Sequence, residues 1–310
     1  MKYIYGPVPS RRMGMSLGIS PIPPKTCNYS CIYCQLGRTD HMTNTREMFY
    51  PVEDILAELD DILKKEIPFD VVTIVGEGEP TLYLGLGELI RGIRERVTQP
   101  VAMITNGALL YDPDVREELM AADIVLPTVE AIDEVTFRQI NRPHGALEQL
   151  EILKGLRLFA EEYPNQLWLE LMLMQGINDD QASLIRYRNV LKTLRYDRLY
   201  LNTPVRPPAE AEVKPVDAAT MARANSVLGG TSIDFLVSEG FSSDISDDRE
   251  AIVSIIGRHP MNQYEIEHFL SDRGVIDPGK LLLQLEEDAR IERVHYKGYD
   301  TFRLKTGRKR

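Results

Sequence analysis

From Val71 to Leu201 short apolar runs alternate with amphipathic stretches of helical length. The runs are Val71–Val75, Val101–Ile104, Ile124–Val129, Leu167–Met174 and Leu199–Leu201. Such continuous apolar runs suit strands covered on both faces, which predicts a parallel sheet. Val52–Glu66, Gly87–Val97, Pro113–Ala121, Leu147–Glu162 and Asp179–Leu194 read as helices. Strand–helix alternation at this spacing builds βαβ units and an α/β fold. With Ser16–Ile22 as a first strand, six strands fit a partial (β/α)6 barrel, and a flat doubly wound sheet fits the same periodicity. Local signals agree. Pro51 suits a first helical turn with Glu53 and Asp54 at its positive end, and Asp112 before Pro113 reads as an N-cap.

The pattern changes after position 203. Thr203–Pro215 is proline-rich and reads as a loop, and Asp217–Leu228 as a helix. Gly229–Asp248, rich in Gly, Ser and Asp, holds the expected domain boundary. Arg249–Arg258, Gln263–Leu270 and Pro278–Ala289 then read as helices, the last capped by Asp277. Ile291–Tyr296 and Tyr299–Leu304 read as a hairpin about a Lys297–Gly298 turn. Three helices and a hairpin describe a winged helix-turn-helix. The chain thus divides into a core domain, 1–240, and a small C-terminal winged-helix domain, 246–310. Domains with separate cores fold alone, so the second is expected to be dispensable for the chemistry of the first.

All three cysteines of the 310-residue chain lie between positions 27 and 34, in a C-x3-C-x2-C arrangement. An odd number so crowded makes no disulfide framework and suits a reducing, cytoplasmic setting. No apolar run approaches the ~20 residues of a membrane span. The net charge of −11 does not favour a polyanionic partner. Three thiolates can hold three irons of a cubane cluster and leave the fourth open. Cys31 and Cys34, read as one helical turn apart, would face one side. A structural zinc wants four ligands, usually as two separated pairs, and His41 is the one nearby fourth candidate.

Cys27-Asn-Tyr-Ser-Cys31-Ile-Tyr-Cys34, with Tyr33 just before the last cysteine, resembles the signature of the radical S-adenosylmethionine (SAM) superfamily. The resemblance implies a [4Fe-4S] cluster on Cys27, Cys31 and Cys34, with SAM on the open iron and Tyr33 beside its adenine. Gly76-Glu-Gly-Glu-Pro80 is similar to the superfamily's Gly-Gly-Glu-Pro turn, with Glu77 in place of the first glycine of the pair. That likeness gives Gly78, Glu79 and Pro80 the methionyl amino group. Barrel sites collect residues at the C-terminal ends of strands. There stand Thr105, Asn106, Glu130 and Asn202, which in relatives would contact SAM or the substrate. Asn106 also suits a plain turn, and Glu130 a helix cap. Arg206 suits an anionic substrate, the SAM carboxylate or solvent.

The implied activity is reductive cleavage of SAM, giving a 5′-deoxyadenosyl radical that takes hydrogen from an RNA, a peptide or a small molecule. The electron would come from a donor such as flavodoxin or ferredoxin. Tyr5-Gly-Pro-Val-Pro-Ser-Arg-Arg12, Ile140-Asn-Arg-Pro143, Gly176-Ile-Asn-Asp179 and Leu201-Asn-Thr-Pro-Val-Arg-Pro-Pro208 resemble a group of iron–sulfur oxidoreductases related to the tRNA wyosine-base synthases. Those synthases carry a second cluster on additional cysteines, and this chain has none outside positions 27–34. The alternative is a SAM- and cluster-binding sensor that uses the winged helix to contact nucleic acid or protein. Glu286, Glu287 and Asp288 on the third tail helix oppose phosphate, so sequence-specific DNA binding is not expected. Only weak, salt-sensitive association through Arg308, Lys309 and Arg310 is expected.

Overall fold

The computed structural model describes residues 2–233, 240, 241, 243 and 245–305. The basic terminus at Arg308, Lys309 and Arg310, and part of the expected domain boundary, lie outside these. Among the described residues the main sheet has eight strands. β1 (Ile4–Ser10) runs antiparallel to β2 (Gly14–Ile19) at one edge. β2 is followed by β5 (Val71–Ile74), β6 (Val101–Thr105), β7 (Ile124–Pro127), β8 (Gln166–Met172), β9 (Arg198–Asn202) and β10 (Thr231–Ser232), each parallel to its neighbour. Two short strands, β3 (Thr26–Cys27) and β4 (His41–Met42), pair with each other. The expected α/β class with a mainly parallel sheet is therefore the observed one.

The crossovers are α1 (Val52–Leu63), α2 (Leu86–Arg94), α3 (Pro113–Leu119), α4 (Glu134–Ile140), α5 (Gln149–Glu162), α6 (Gln181–Leu191) and α7 (Ala218–Leu228). Successive strand side chains point to opposite faces. Val72, Ile74, Val101, Met103, Leu169 and Leu199 join the large core beneath the helices. Val71, Ala102, Ile124, Trp168 and Tyr200 form a smaller cluster on the other face. Farther along that second face come Thr73, Glu170 and Asn202, so polar chemistry stands at the C-terminal strand ends.

Asp112 caps α3 through the Asp114 amide at 3.0 Å, as expected. Pro51 is the N-cap of α1, one residue before its expected place. Besides the two-residue strands, β1 and α4 escape the periodicity. β1 carries Pro7 and Pro9, which lack an amide donor; only an edge strand tolerates them, and an edge is where β1 lies. α4 is two turns long and capped by Asp133, whose carboxylate accepts from the Thr136 amide at 2.9 Å.

The C-terminal segment holds α8 (Asp248–Ile256), α9 (Gln263–Asp272) and α10 (Pro278–Glu287). β11 (Met261–Asn262), β12 (Ile291–Tyr296) and β13 (Tyr299–Leu304) form a three-stranded antiparallel sheet. The hairpin turns at Lys297 and Gly298, both with positive φ, and Asp277 caps α10. Its core gathers Ile252, Ile256, Phe269, Leu285 and Phe302, but also Val8 of β1 and Phe241. No helix among the described residues is long and apolar enough to cross a membrane.

Candidate active site

Cys27 ends β3, and Cys31 and Cys34 lie on the loop that runs from it to β4. Cys34 N donates to Cys31 O at 3.1 Å, so this segment is a turn and not the helix expected from its spacing. Neighbouring elements clamp the loop. Ile32 N donates to Ile140 O and Ser30 N to Asn141 O, both at 2.9 Å, and Glu210 N donates to Ile32 O at 3.0 Å. The Glu210 carboxylate then pairs with Arg38 and Arg142. Burial pushes all three thiols above the ordinary cysteine range. N–H donors work against that shift: Tyr29 N reaches Cys27 Sγ at 3.4 Å and Asn141 Nδ2 reaches Cys31 Sγ at 3.5 Å. Such donors favour the thiolate, the form that binds metal.

The turn after β5 is knitted to this loop. Lys25 N donates to Glu77 O at 2.5 Å and Glu79 N to Thr26 O at 3.0 Å. A Cβ on Gly78 would lie 1.8 Å from the Thr26 carbonyl oxygen. The glycine is thus required by close approach to the backbone entering Cys27. We expect Gly78→Ala to force the two segments apart and cost about 3 kcal/mol, at the upper end of overpacking penalties. Urea denaturation checks this, and a loss below about 0.5 kcal/mol would contradict the contact.

Glu79 is 2% exposed, and its carboxylate accepts four hydrogen bonds. They come from the Thr81 amide, the Thr81 and Thr105 hydroxyls and the Asn106 amide, at 2.6–3.0 Å. Burial alone would raise its pKa, and these donors oppose that. Asn106 Nδ2 donates to Asn28 Oδ1 at 2.7 Å and sits 3.7 Å from Cys27 Sγ. Glu79, Thr105 and Asn106 therefore brace the turn and the cysteine loop against the end of β6.

One cavity of about 430 Å3 brings together Cys27, Cys31, Cys34, Tyr33, Gly78, Glu79, Thr105, Asn106 and Asn202. Pro80 and Glu130 do not line it. Pro80 is buried at the start of a 3-10 turn. Glu130, 3% exposed, turns inward and accepts from Tyr33 Oη at 2.5 Å and Asn141 Nδ2 at 3.1 Å. It supports the cysteine loop from below, and the cap of the next helix is Asp133. Arg206 lines the cavity, but its guanidinium is committed to Glu265 of α9 at 2.5 and 2.8 Å.

The sequence reading missed five contributors, Asn141, Glu170, Arg12, Arg258 and His259. Asn141, in the stretch Ile140–Pro143, holds Cys31 and Glu130 through its Nδ2. Glu170 interrupts the apolar run of β8 on its polar face, pairs with Arg12 and accepts from Asn202 at 3.3 Å. Burial and the nearby Arg11 charge bring the Arg12 guanidinium down to about 10, while Tyr200 opposes the shift. Arg258 and His259, from the C-terminal segment, also line the cavity. Both belong to the segment expected to form a separate module, and they are part of the cavity wall.

The family model of the radical SAM superfamily matches residues 22–187. The chain belongs to the radical SAM superfamily. The UPF0026 protein MJ1312 of Methanocaldococcus jannaschii is 37% identical over 94% of this chain and 95% of its own length. The UPF0026 protein slr1464 of Synechocystis sp. is 38% identical over 68% of this chain and 79% of its own. A radical SAM methyltransferase from Sphaerobacter thermophilus has the same fold, with a TM-score of 0.53 at 15% identity over 71% of this chain and 68% of that one. Radical SAM proteins bind SAM and an iron–sulfur cluster. The residues present fit such a group, because three thiols and the turn at 76–79 face one cavity, with N–H donors at two of the sulfurs.

Proposed function

We propose that Cys27, Cys31 and Cys34 hold one [4Fe-4S] cluster and that the open iron and the turn at Gly78 and Glu79 receive SAM. When bound and reduced by a flavodoxin- or ferredoxin-type donor, the cluster supplies the electron that splits SAM into methionine and a 5′-deoxyadenosyl radical. The observation that carries the reading is the convergence of all three thiols and the turn on one cavity. Asn141 and Tyr29 offer hydrogen bonds to the sulfurs, Glu79 and Asn106 fix the turn to the loop, and Glu130 orients Tyr33. Asn202, Glu170 and Arg12 offer polar contacts on the sheet side.

We read the sheet as a partial barrel and the tail as a winged helix, in the group related to the wyosine-base synthases but with one cluster. Free thiols suit the cytoplasm. The tail is a docking module in this reading. Glu286 and Glu287 are exposed on α10, while Asp288 is buried and paired with Arg249 and Arg290, so it presents no charge to a groove. The test is chromatography of 5′-deoxyadenosine after incubating the reduced, cluster-loaded protein with SAM. Formation of the nucleoside supports an enzyme; binding of SAM without cleavage would favour a sensor.

A further inference from the structure

Glu77 occupies the place of a glycine in the motif this turn resembles, and the tail supplies its partner. Arg258 Nε lies 3.3 Å from Glu77 Oε2, with the side chains 13% and 16% exposed. The contact is an ion pair without hydrogen-bond alignment, which leaves Nε with no hydrogen-bond partner. The guanidinium also sits 4.9 Å from the centre of the Tyr5 ring. That ring lies over Gly18, where a Cβ would come within 2.2 Å of it. Gln35, next to Cys34, donates to Arg258 O at 3.3 Å. On the far side of the cavity Glu265 pairs with Arg206, and Tyr296 Oη donates to Pro204 O at 2.8 Å. The tail thus bridges the cavity from the turn and cysteine loop to the loop after β9.

A mostly buried carboxylate is costly without a counter-charge, and removing one partner of such a pair leaves the other uncompensated. The Glu77 charge is best accommodated when the tail is seated, and the tail seats best when the turn holds Glu77 in place. We propose that Arg258 is a positioning residue for the SAM turn, so that SAM binding and seating of the C-terminal module are one coupled equilibrium. Linkage makes the effect reciprocal: SAM tightens the tail by the factor that the seated tail tightens SAM. This inference rests on the reading of residues 76–80 as part of the SAM site.

The test uses the full chain, cluster-loaded and anaerobic. SAM affinity is measured by equilibrium dialysis for Glu77→Gln, Arg258→Gln and the double variant. Hydrogen exchange of residues 249–258 is followed with and without SAM. Each single change should weaken SAM binding about fivefold, at the lower end of allosteric coupling. The double change should cost no more than one of them, because the pair acts as a unit. SAM should slow exchange in 249–258 in the wild type and not in either single variant. Glu77→Gly, which restores the glycine pair and removes the partner of Arg258 while leaving Arg258 itself in place, should also abolish the tail's response to SAM. Unchanged affinities, additive losses or a wild-type tail indifferent to SAM would overturn the coupling while SAM binding stood. A wild type that binds no SAM would overturn the site reading and the coupling with it.

Discussion

Replacing Cys31 with alanine is expected to reduce anaerobically reconstituted protein from about four irons and four sulfides per chain to background, since a cubane left on two protein thiolates is not retained. The chain offers no substitute thiol, because its three cysteines are Cys27, Cys31 and Cys34. The change also removes the sulfur that Asn141 Nδ2 meets at 3.5 Å, which loosens the clamp running to Glu130. Iron and sulfide assays check this. Iron retained at the wild-type level, or a stoichiometric zinc in place of iron, would contradict the ligand assignment.

The second large effect is expected from removal of residues 246–310. A tail that contributes nothing to the cavity would leave the site intact, and its contacts lead to a different expectation. The truncation takes Glu265 from Arg206, whose side chain is only 10% exposed, and Arg258 from Glu77. Breaking a buried pair by removing one partner costs about 3–5 kcal/mol. It also uncovers Val8, which packs in the tail's core, and opens the cavity wall at Arg258 and His259. We expect SAM affinity to fall at least about tenfold, which corresponds to about 1.4 kcal/mol, with part of the lost pairing energy recovered by solvent. A soluble truncated protein that bound SAM as tightly as the full chain would restore the independent module.

What the sequence made legible was whatever lies close together along the chain. The cysteine triplet, the turn at 76–80 and the strand ends at Thr105, Asn106 and Asn202 are short strings whose chemistry is local, and the fold gathers them at one cavity. The direction of a side chain was not legible. Glu130 follows β7 in the expected place, yet turns inward to Tyr33 and Asn141. Glu79 belongs to the expected turn, yet spends its oxygens on Thr81, Thr105 and Asn106. Pairings between distant segments were hidden too, among them Arg12 with Glu170 and Glu77 with Arg258. Period-two alternation in β8 does single out Glu170, since it shares a face with Trp168, and that signal was available. Pro7 and Pro9 masked β1, because proline argues against a strand unless the edge position is known.

Central to the proposed function is that an iron left open by Cys27, Cys31 and Cys34 receives SAM in the cavity beside Gly78. Electron paramagnetic resonance of the reduced, reconstituted protein, recorded with and without SAM, tests it most directly. One reduced cubane per chain, with a spectrum that changes on adding SAM, is the predicted result. A cluster signal that SAM leaves unaltered, or reconstituted protein that gives no cubane signal when reduced, would contradict it.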